Sequence, residues 1–433
     1  MSFLLLLILF VTCAGLLAWG MLRKDGVYQF PFLAGATFFA FVLPQMIGLQ
    51  YDRDLPEGAL EKATVMTILC AFMCWAGYVW SDRPMRLFQW EFQEQKLLTA
   101  GTCLAVLGAY FFFEISRQPE EIISSTMWTG KVVAFRFFAE ILPYGFALAA
   151  LMYFKKKSPM ALALALFASL FYVDRIFFSG RRGVTLEYLA IVVMGLWFGN
   201  KRVLPKWLIL GGVIVGTLLL HSTGDYRDKV KQDDKPTWST VTEIPYFENL
   251  KTILTSGGEE MRNVVYMMEA TERTSAYDFG LFHWNTLIFN YVPAQWFGEE
   301  FKKSLTFDLP NVAQRVFGYE ASVGSTITGI VDSFGSFWYL GCIKFFLIAA
   351  AMRKIYEAAI RESIVAQVFY MLILTPSLHT ITHHTQWFIS PWIHIGFFLV
   401  PALYLSRVPR DLSPCYPSSA ATIEGEAISN VTS

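Results

Sequence analysis

Charge is what this sequence has least of for its size. Asp, Glu, Lys and Arg make up 16% of the 433 residues, while 55% are hydrophobic and the mean hydropathy is +0.42. Too few ionic groups remain to solvate a globular surface, which excludes an ordinary soluble enzyme. The 35 basic and 35 acidic residues cancel, so no bulk field draws the chain to nucleic acid. Cysteine is scarce: there are six, and all but Cys415 fall in apolar stretches, so the one long polar segment can form no disulfide. Cys70 and Cys74 share a helix face but have no His or carboxylate nearby, so no metal site is expected. P-loop, GxSxG, HExxH and GxGxxG motifs are missing from any supporting context, which leaves nucleotide, serine-hydrolase and zinc chemistry without a basis and predicts no cofactor.

What the sequence has is apolar length. About 20 apolar residues cross a hydrocarbon core of roughly 30 Å as a helix, and eleven stretches qualify. They run Ser2 to Leu22, Val27 to Gln50, Ala63 to Trp80, Leu97 to Ile115, Val132 to Phe154, Pro159 to Phe178, Val184 to Phe198, Val203 to His221, Ser336 to Met352, Ile364 to Ile381 and Phe388 to Leu405. The fold class expected is an all-α polytopic membrane protein. It divides into residues 1–221 with eight spans, a long loop at 222–335, residues 336–406 with three spans, and a tail at 407–433 whose Ser, Ala and Thr content predicts disorder. The first stretch has no basic residue before it and no cleavage site, so it reads as a retained anchor.

Alternate connections differ in charge. One set holds Arg23 and Lys24; Arg83, Arg86 and Lys96; Lys155, Lys156 and Lys157; Lys201, Arg202 and Lys206; Arg353, Lys354 and Arg361; then Arg407 and Arg410. The other set is poor in basic residues, with Asp52, Asp54, Glu57, Glu120 and Glu121. The positive-inside rule puts the basic set in the cytoplasm, the N-terminus and the long loop outside, and the C-terminus inside. Within the loop, Pro245 opens a helix carrying Phe247, Leu250, Ile253 and Leu254, Gly257 and Gly258 break it, and Met261, Val264, Val265 and Met268 form a second apolar stripe. Phe279, Phe282, Trp284, Phe289, Tyr291, Trp296 and Phe297 suit either a sugar-binding floor or an interfacial belt.

The chemistry shows where the charge rule is broken. Ser179-Gly180-Arg181-Arg182-Gly183 falls on the outer side, although paired arginines beside short loops belong in the cytoplasm. With Arg175 before it and Arg227 after the eighth span, this cluster reads as an anion clamp, since guanidinium pairs bidentately with phosphate oxygens. Ion pairing with Asp174 and Glu187 is the structural alternative. Glu114, Arg136, Glu140 and Glu187 lie at similar depth, and ionisable groups in lipid are costly enough that several together imply a polar cavity. Lys344, nearer mid-membrane, fits this set poorly and reads as a snorkelling side chain. For a general base the outer side offers His383, His384, Asp332 and Glu320. Asp332 is preferred, because a residue at a helix end is better held than a loop imidazole.

These features together resemble the O-antigen polymerase (Wzy-type) family of oligosaccharide repeat-unit polymerases. The likeness spans nearly the whole chain. It is sharpest in Ser179 to Gly183 and in the late residues Phe279-Gly280, Tyr291-Val292-Pro293, Gly298, Lys303, Gly324-Ser325-Thr326, Gly329, Phe334-Gly335 and Tyr339-Leu340-Gly341. The resemblance implies a glycosyltransferase of the bacterial inner membrane that joins polyprenyl-diphosphate-linked oligosaccharides into surface polysaccharide, either O-antigen or exopolysaccharide, with a chain-length regulator and a flippase as partners. Arg175, Arg181, Arg182 and Arg227 would then stabilise the diphosphate leaving group, each contact worth about 3 kcal/mol. O-antigen ligases share the donor and architecture, but a ligase would carry a His leading into the helix after the long loop, and none occurs between His283 and His379. A lipid-oligosaccharide flippase would also need a polar cavity, although no repeated half-structure is apparent.

Overall fold

The computed structural model describes residues 2–81, 90–118, 131–177, 180–232, 238–322 and 324–408, and the regular elements among them are helices, with one isolated bridge between Phe92 and Arg407. Eleven helices are long and apolar enough to cross a membrane: Phe3–Leu22, Phe30–Leu49, Ala59–Trp80, Glu94–Ser116, Lys131–Lys156, Pro159–Phe177, Arg182–Asn200, Lys206–Val230, Gly329–Ile360, Ile364–Thr382 and Gln386–Ser406. Each matches one stretch expected from hydropathy, and the chain is an all-α polytopic membrane protein. Helices satisfy every backbone group internally, which is why apolar length alone dictates this architecture.

The second, fifth and tenth spans are enclosed by protein, whereas the sixth, eighth and eleventh turn most of their surface outward. The tenth is central: it packs against the seventh, the fifth and the second, and the paired third and ninth spans close the assembly beside it.

Two boundaries depart from the expected ones. The eighth helix continues to Gln232 rather than ending near His221, and the ninth begins at Gly329 rather than Ser336. Both extensions are polar or glycine-rich, so a hydropathy window misses them although helical hydrogen bonding continues. Arg407 and Val408 are held against the segment before the fourth span, Val408 N–H donating to Glu91 O at 2.8 Å. The rest of the expected tail lies outside the described residues.

Several spans are interrupted. The fifth breaks at Glu140–Ile141, where Pro143 cannot continue the hydrogen-bond ladder. The second and eleventh carry π-helical turns at Phe38–Val42 and Ile395–Leu399. The ninth is the most sharply broken: Gly329–Phe337 leads into a 3-10 turn, Trp338–Cys342, before Ile343–Ile360 resumes. Trp338 has φ of 55°, a left-handed conformation that a bulky side chain adopts only under constraint.

The long segment is tied onto the bundle. Helix Glu259–Thr274 buries Met261, Val264, Val265 and Met268 against the core, as the apolar stripe requires. At its polar edge Lys62 of the third span bonds Glu269 at 2.8 Å and pairs with Glu272, and Arg273 joins Glu269 at 2.7 Å. Helix Tyr246–Ser256 forms where Pro245 places it, but none of its residues is buried and Phe247 is 77% exposed. Its backbone comes close to the second span: a Cβ at Gly48 would lie 2.0 Å from Ile253 O.

Candidate functional site

At the head of the ninth helix Asp332 is buried, 6% exposed, and its carboxylate is crowded with donors. Thr385, from the connection between the tenth and eleventh spans, donates its backbone N–H to Asp332 Oδ2 at 2.5 Å and bonds Oδ1 through its hydroxyl at 3.0 Å. Lys344 reaches back across the break at Trp338, its Nζ 3.4 Å from Asp332 Oδ1, 3.1 Å from Asp332 O and 2.9 Å from Ser336 Oγ. The expectation of a snorkelling Lys344 is therefore wrong. Folding the chain back at Trp338 gives the ammonium a buried carboxylate and a hydroxyl, which satisfy it better than a distant interface.

Two histidines complete the cluster. His283, from helix Leu281–Tyr291 of the long segment, has Nε2 2.7 Å from Thr385 Oγ1 and 3.9 Å from Asp332 Oδ2. The Thr385 hydroxyl has one proton, given to Asp332, so His283 is the donor and carries its proton on Nε2. Burial pushes His283 below the ordinary imidazole value, outweighing the pull of Asp332. His384 Nδ1 lies 3.6 Å from Asp332 Oδ2, and its ring packs 4.3 Å from that of Phe282. The His384 side chain is 27% exposed against 3% for that of Asp332, so the imidazole, not the carboxylate, meets solvent.

The arginine connection meets the same end of the tenth helix. His379, His383 and Trp387 form a ring cluster with centroids 5.1 to 5.2 Å apart. A Cβ at Gly183 would sit 2.8 Å from the His379 ring, so glycine lets the start of the seventh helix, with Arg182, close onto it. Gly180 adopts φ of 56° beneath the side chains of Tyr226 and Arg227. Tyr226 fastens the turn, its hydroxyl donating to Phe177 O at 2.6 Å. Burial pushes His383 down to about 4, helped by His384 and Arg182, so it is neutral around pH 7.

Among the described residues, none of Arg175, Arg181, Arg182 and Arg227 lies within ion-pair distance of a carboxylate. Asp174 and Glu187 therefore do not neutralise the cluster by direct contact. Arg175 rests on the Phe112 ring at 5.1 Å, and Arg227 bonds only Thr223 O, at 3.4 Å. The surrounding protein, then the guanidiniums of Arg175 and Arg136, push Arg181 below its ordinary value without discharging it. Ser179 lies outside the described residues.

Other expected members stand apart. Glu320 is exposed on the loop before the ninth helix and accepts from Gln314 at 2.5 Å, with no contact to the Asp332 cluster. Glu114 pairs with Arg117 at 3.8 Å, and Arg136 with Glu140 at 3.4 Å, both near a surface of the bundle. Glu187 is partly enclosed, with Arg175 as its main charged neighbour. His221 and His394 serve the interrupted helices: His221 Nε2 reaches Ala40 O in the π-turn at 2.9 Å, and His394 joins Phe137 O and the Tyr144 hydroxyl, each at 2.7 Å.

Lys344, Thr385 and His283 are the members that sequence reasoning missed. A single lysine in an apolar stretch was the only signal for Lys344, and Thr385 carried none. Among the described residues no group of three or more His, Cys, Asp or Glu is placed to hold a metal ion. Compared with protein-family models, with curated proteins and with solved structures, the chain finds no match.

Proposed function

We propose that this chain is a membrane glycosyltransferase that joins oligosaccharide repeat units carried on polyprenyl diphosphate, on the outer side of a bacterial inner membrane. One juxtaposition carries the reading: unpaired arginines and an Asp332–His384 couple flank the same short segment, His379 to Thr385. Arginines without carboxylate partners are costly to keep unless an anion visits them. A diphosphate supplies that anion, and its negative charge grows as the glycosidic bond to phosphate breaks.

In this mechanism Arg182 and Arg227, with Arg181 and Arg175 behind them, hold the diphosphate. The acceptor hydroxyl oxygen attacks the anomeric carbon, the bond from that carbon to the phosphate oxygen breaks, and the lipid diphosphate departs. His384 takes the hydroxyl proton. Asp332 is thereby reassigned from base to positioning residue, because its oxygens already accept from Thr385 and Lys344 and it is shielded from solvent. The lipid tail has an apolar approach beside the same helix: a crevice of about 380 Å³ lined by Met73, Phe337, Leu340, Cys342 and Ile343. Phe279 stands exposed above it, 6.2 Å from the Phe337 ring.

The ligase reading gains from one observation. His283 and His384 stand against the helix after the long loop, so imidazoles reach that helix by packing although the segment leading into it carries none. Deletion separates the readings. Loss of a polymerase leaves single repeat units on the acceptor lipid, loss of a ligase leaves none, and loss of a flippase strands units inside. The proposal expects the first pattern, restored by complementation; either of the others overturns it.

A further inference from the structure

A second polar cleft lies away from Asp332, where the connection between the second and third spans meets the long segment. It encloses about 420 Å³ and is lined by Tyr51, Asp52, Arg53 and Asp54 on one side and by Arg262, Tyr266 and Tyr319 on the other. Its floor is built: Tyr266 and Tyr319 stack with centroids 4.2 Å apart and planes 9° from parallel. Tyr266 is fixed by its hydroxyl bond to Asp54 O at 2.8 Å and Tyr319 by its bond to Asn263 Oδ1 at 2.7 Å. Arg262 is committed to Asp52 at 3.0 Å and Glu259 at 2.8 Å. Among the described residues the Tyr51 hydroxyl, the Arg53 guanidinium and the Asp54 carboxylate have no partner.

This set selects by chemistry. Asp52 and Asp54 offset Arg53 and Arg262, so the lining carries no net charge and favours neither an anion nor a cation. What it offers is a flat aromatic pair, a free acceptor and two free donors. That combination matches a neutral sugar, which presents one apolar face of C–H groups and a rim of hydroxyls that both donate and accept.

The cleft is also joined to the candidate catalytic region. Asn263, which anchors Tyr319, donates to Ser325 Oγ at 3.0 Å and Thr326 O at 3.2 Å, and Thr326 in turn donates to Thr382 O at 2.6 Å. Thr382 directly precedes the His383–Thr385 segment. We infer that this cleft is a second saccharide site, one that holds a neutral sugar of the oligosaccharide chain while its end reacts at the Asp332 cluster. The inference rests on the glycan-joining function proposed above, and its test is separate.

The test uses the full-length protein in detergent and, as probe, the repeat-unit oligosaccharide released by mild acid from the cell's lipid-linked pool. Saturation-transfer NMR and calorimetry should show binding to the wild type. Tyr51→Ala and Asp54→Asn, whose side chains hold nothing else in place, should each weaken it about tenfold, the loss of the Tyr51 hydroxyl donor or of the hydrogen bond accepted by the Asp54 carboxylate. In cells the same variants should shorten the polymer while leaving the first coupling intact. Unchanged binding in both variants, or displacement of the oligosaccharide by inorganic phosphate, overturns the site. If polymer still depends on Asp332 in that case, the glycosyltransferase reading survives alone. If binding follows the cleft variants but deletion of the whole chain leaves polymer normal, the saccharide site stands and the polymerase reading falls.

Discussion

Asp332 and Lys344 face each other across a broken helix, Oδ1 to Nζ at 3.4 Å, although twelve residues separate them in the chain. In a continuous helix that spacing would set them about 18 Å apart. The contact thus exists only because the chain turns at Trp338, and it fixes both halves of the ninth span. A buried pair of this kind is costly to split, since removing one partner strands the other charge. Lys344→Met should destabilise the protein by about 3–5 kcal/mol, and Lys344→Met with Asp332→Asn should recover much of that loss. Thermal unfolding in detergent measures both, and additive losses in the double variant would show that the two side chains do not interact.

If Asp332 positions His384, as proposed, Asp332→Asn has a signature that mere structural damage lacks. The carboxylate holds the imidazole in place and does not touch the substrate, so Asp332→Asn should lower kcat while leaving the KM for the lipid-linked donor near its wild-type value. His384→Ala should abolish polymerisation, with His383→Ala milder because His383 faces the His379 and Trp387 rings. Full activity in His384→Ala would return the role of base to Asp332.

The arginine clamp makes a prediction that charge alone cannot satisfy. Arg181→Lys and Arg182→Lys keep the cation but lose the planar fork, and each should lower polymer output by at least about tenfold at wild-type protein level. Replacement of both by alanine should cost on the order of 100-fold or more. Normal polymer from the two lysine variants would reduce the cluster to a structural feature.

Apolar length makes the eleven spans legible in the sequence, because a helix in lipid has no alternative way to satisfy its backbone. Asp332 was legible for the same reason, as a charge at the edge of an apolar run. The rest of the cluster was not. Hydropathy reads Lys344 as mid-span because it cannot register the left-handed Trp338 that folds the chain back. His283 meets Thr385 over 102 residues of sequence, a contact made by docking of the long segment, which periodicity does not encode. Arg136 and Glu140, one helical turn apart in the sequence, form the i,i+4 pair which that spacing allows.

Protonation of His383 should register in stability. Its folded value, about 4, lies below the ordinary 6.5. The unfolded chain therefore binds a proton the folded chain excludes as pH falls from 6.5 toward 4. Stability from this residue is fully present above pH 6.5 and declines through that window, by about 3 kcal/mol at most. His383→Asn should flatten that decline in melting temperature measured between pH 7 and pH 4.5. An unchanged slope would mean that another group controls the acid limb.

The docking of the long segment can be tested at Gly48. A methyl group there would meet Ile253 O and Gly257 N, both backbone atoms that cannot rotate aside. Gly48→Ala should therefore cost about 1–3 kcal/mol and loosen helix Tyr246–Ser256 from the second span, seen as faster amide exchange in that helix. Gly211→Ala, where nothing lies within 4 Å, is the control and should be silent.

The orientation on which the outer reaction depends is open to direct labelling. The connections rich in lysine and arginine alternate with poor ones, from which the positive-inside rule predicts that the long segment lies outside. Cysteine placed at Ser322 or Thr274 should react with an impermeant thiol reagent added to intact cells, and cysteine at Ser158 should react only after the membrane is opened. Cys103, exposed on the fourth span, is first replaced by serine to remove background. Reversed labelling would put Arg181, Arg182 and His384 in the cytoplasm. A lipid-linked donor presented outside could not then reach them, and the glycosyltransferase proposal would fail with the topology.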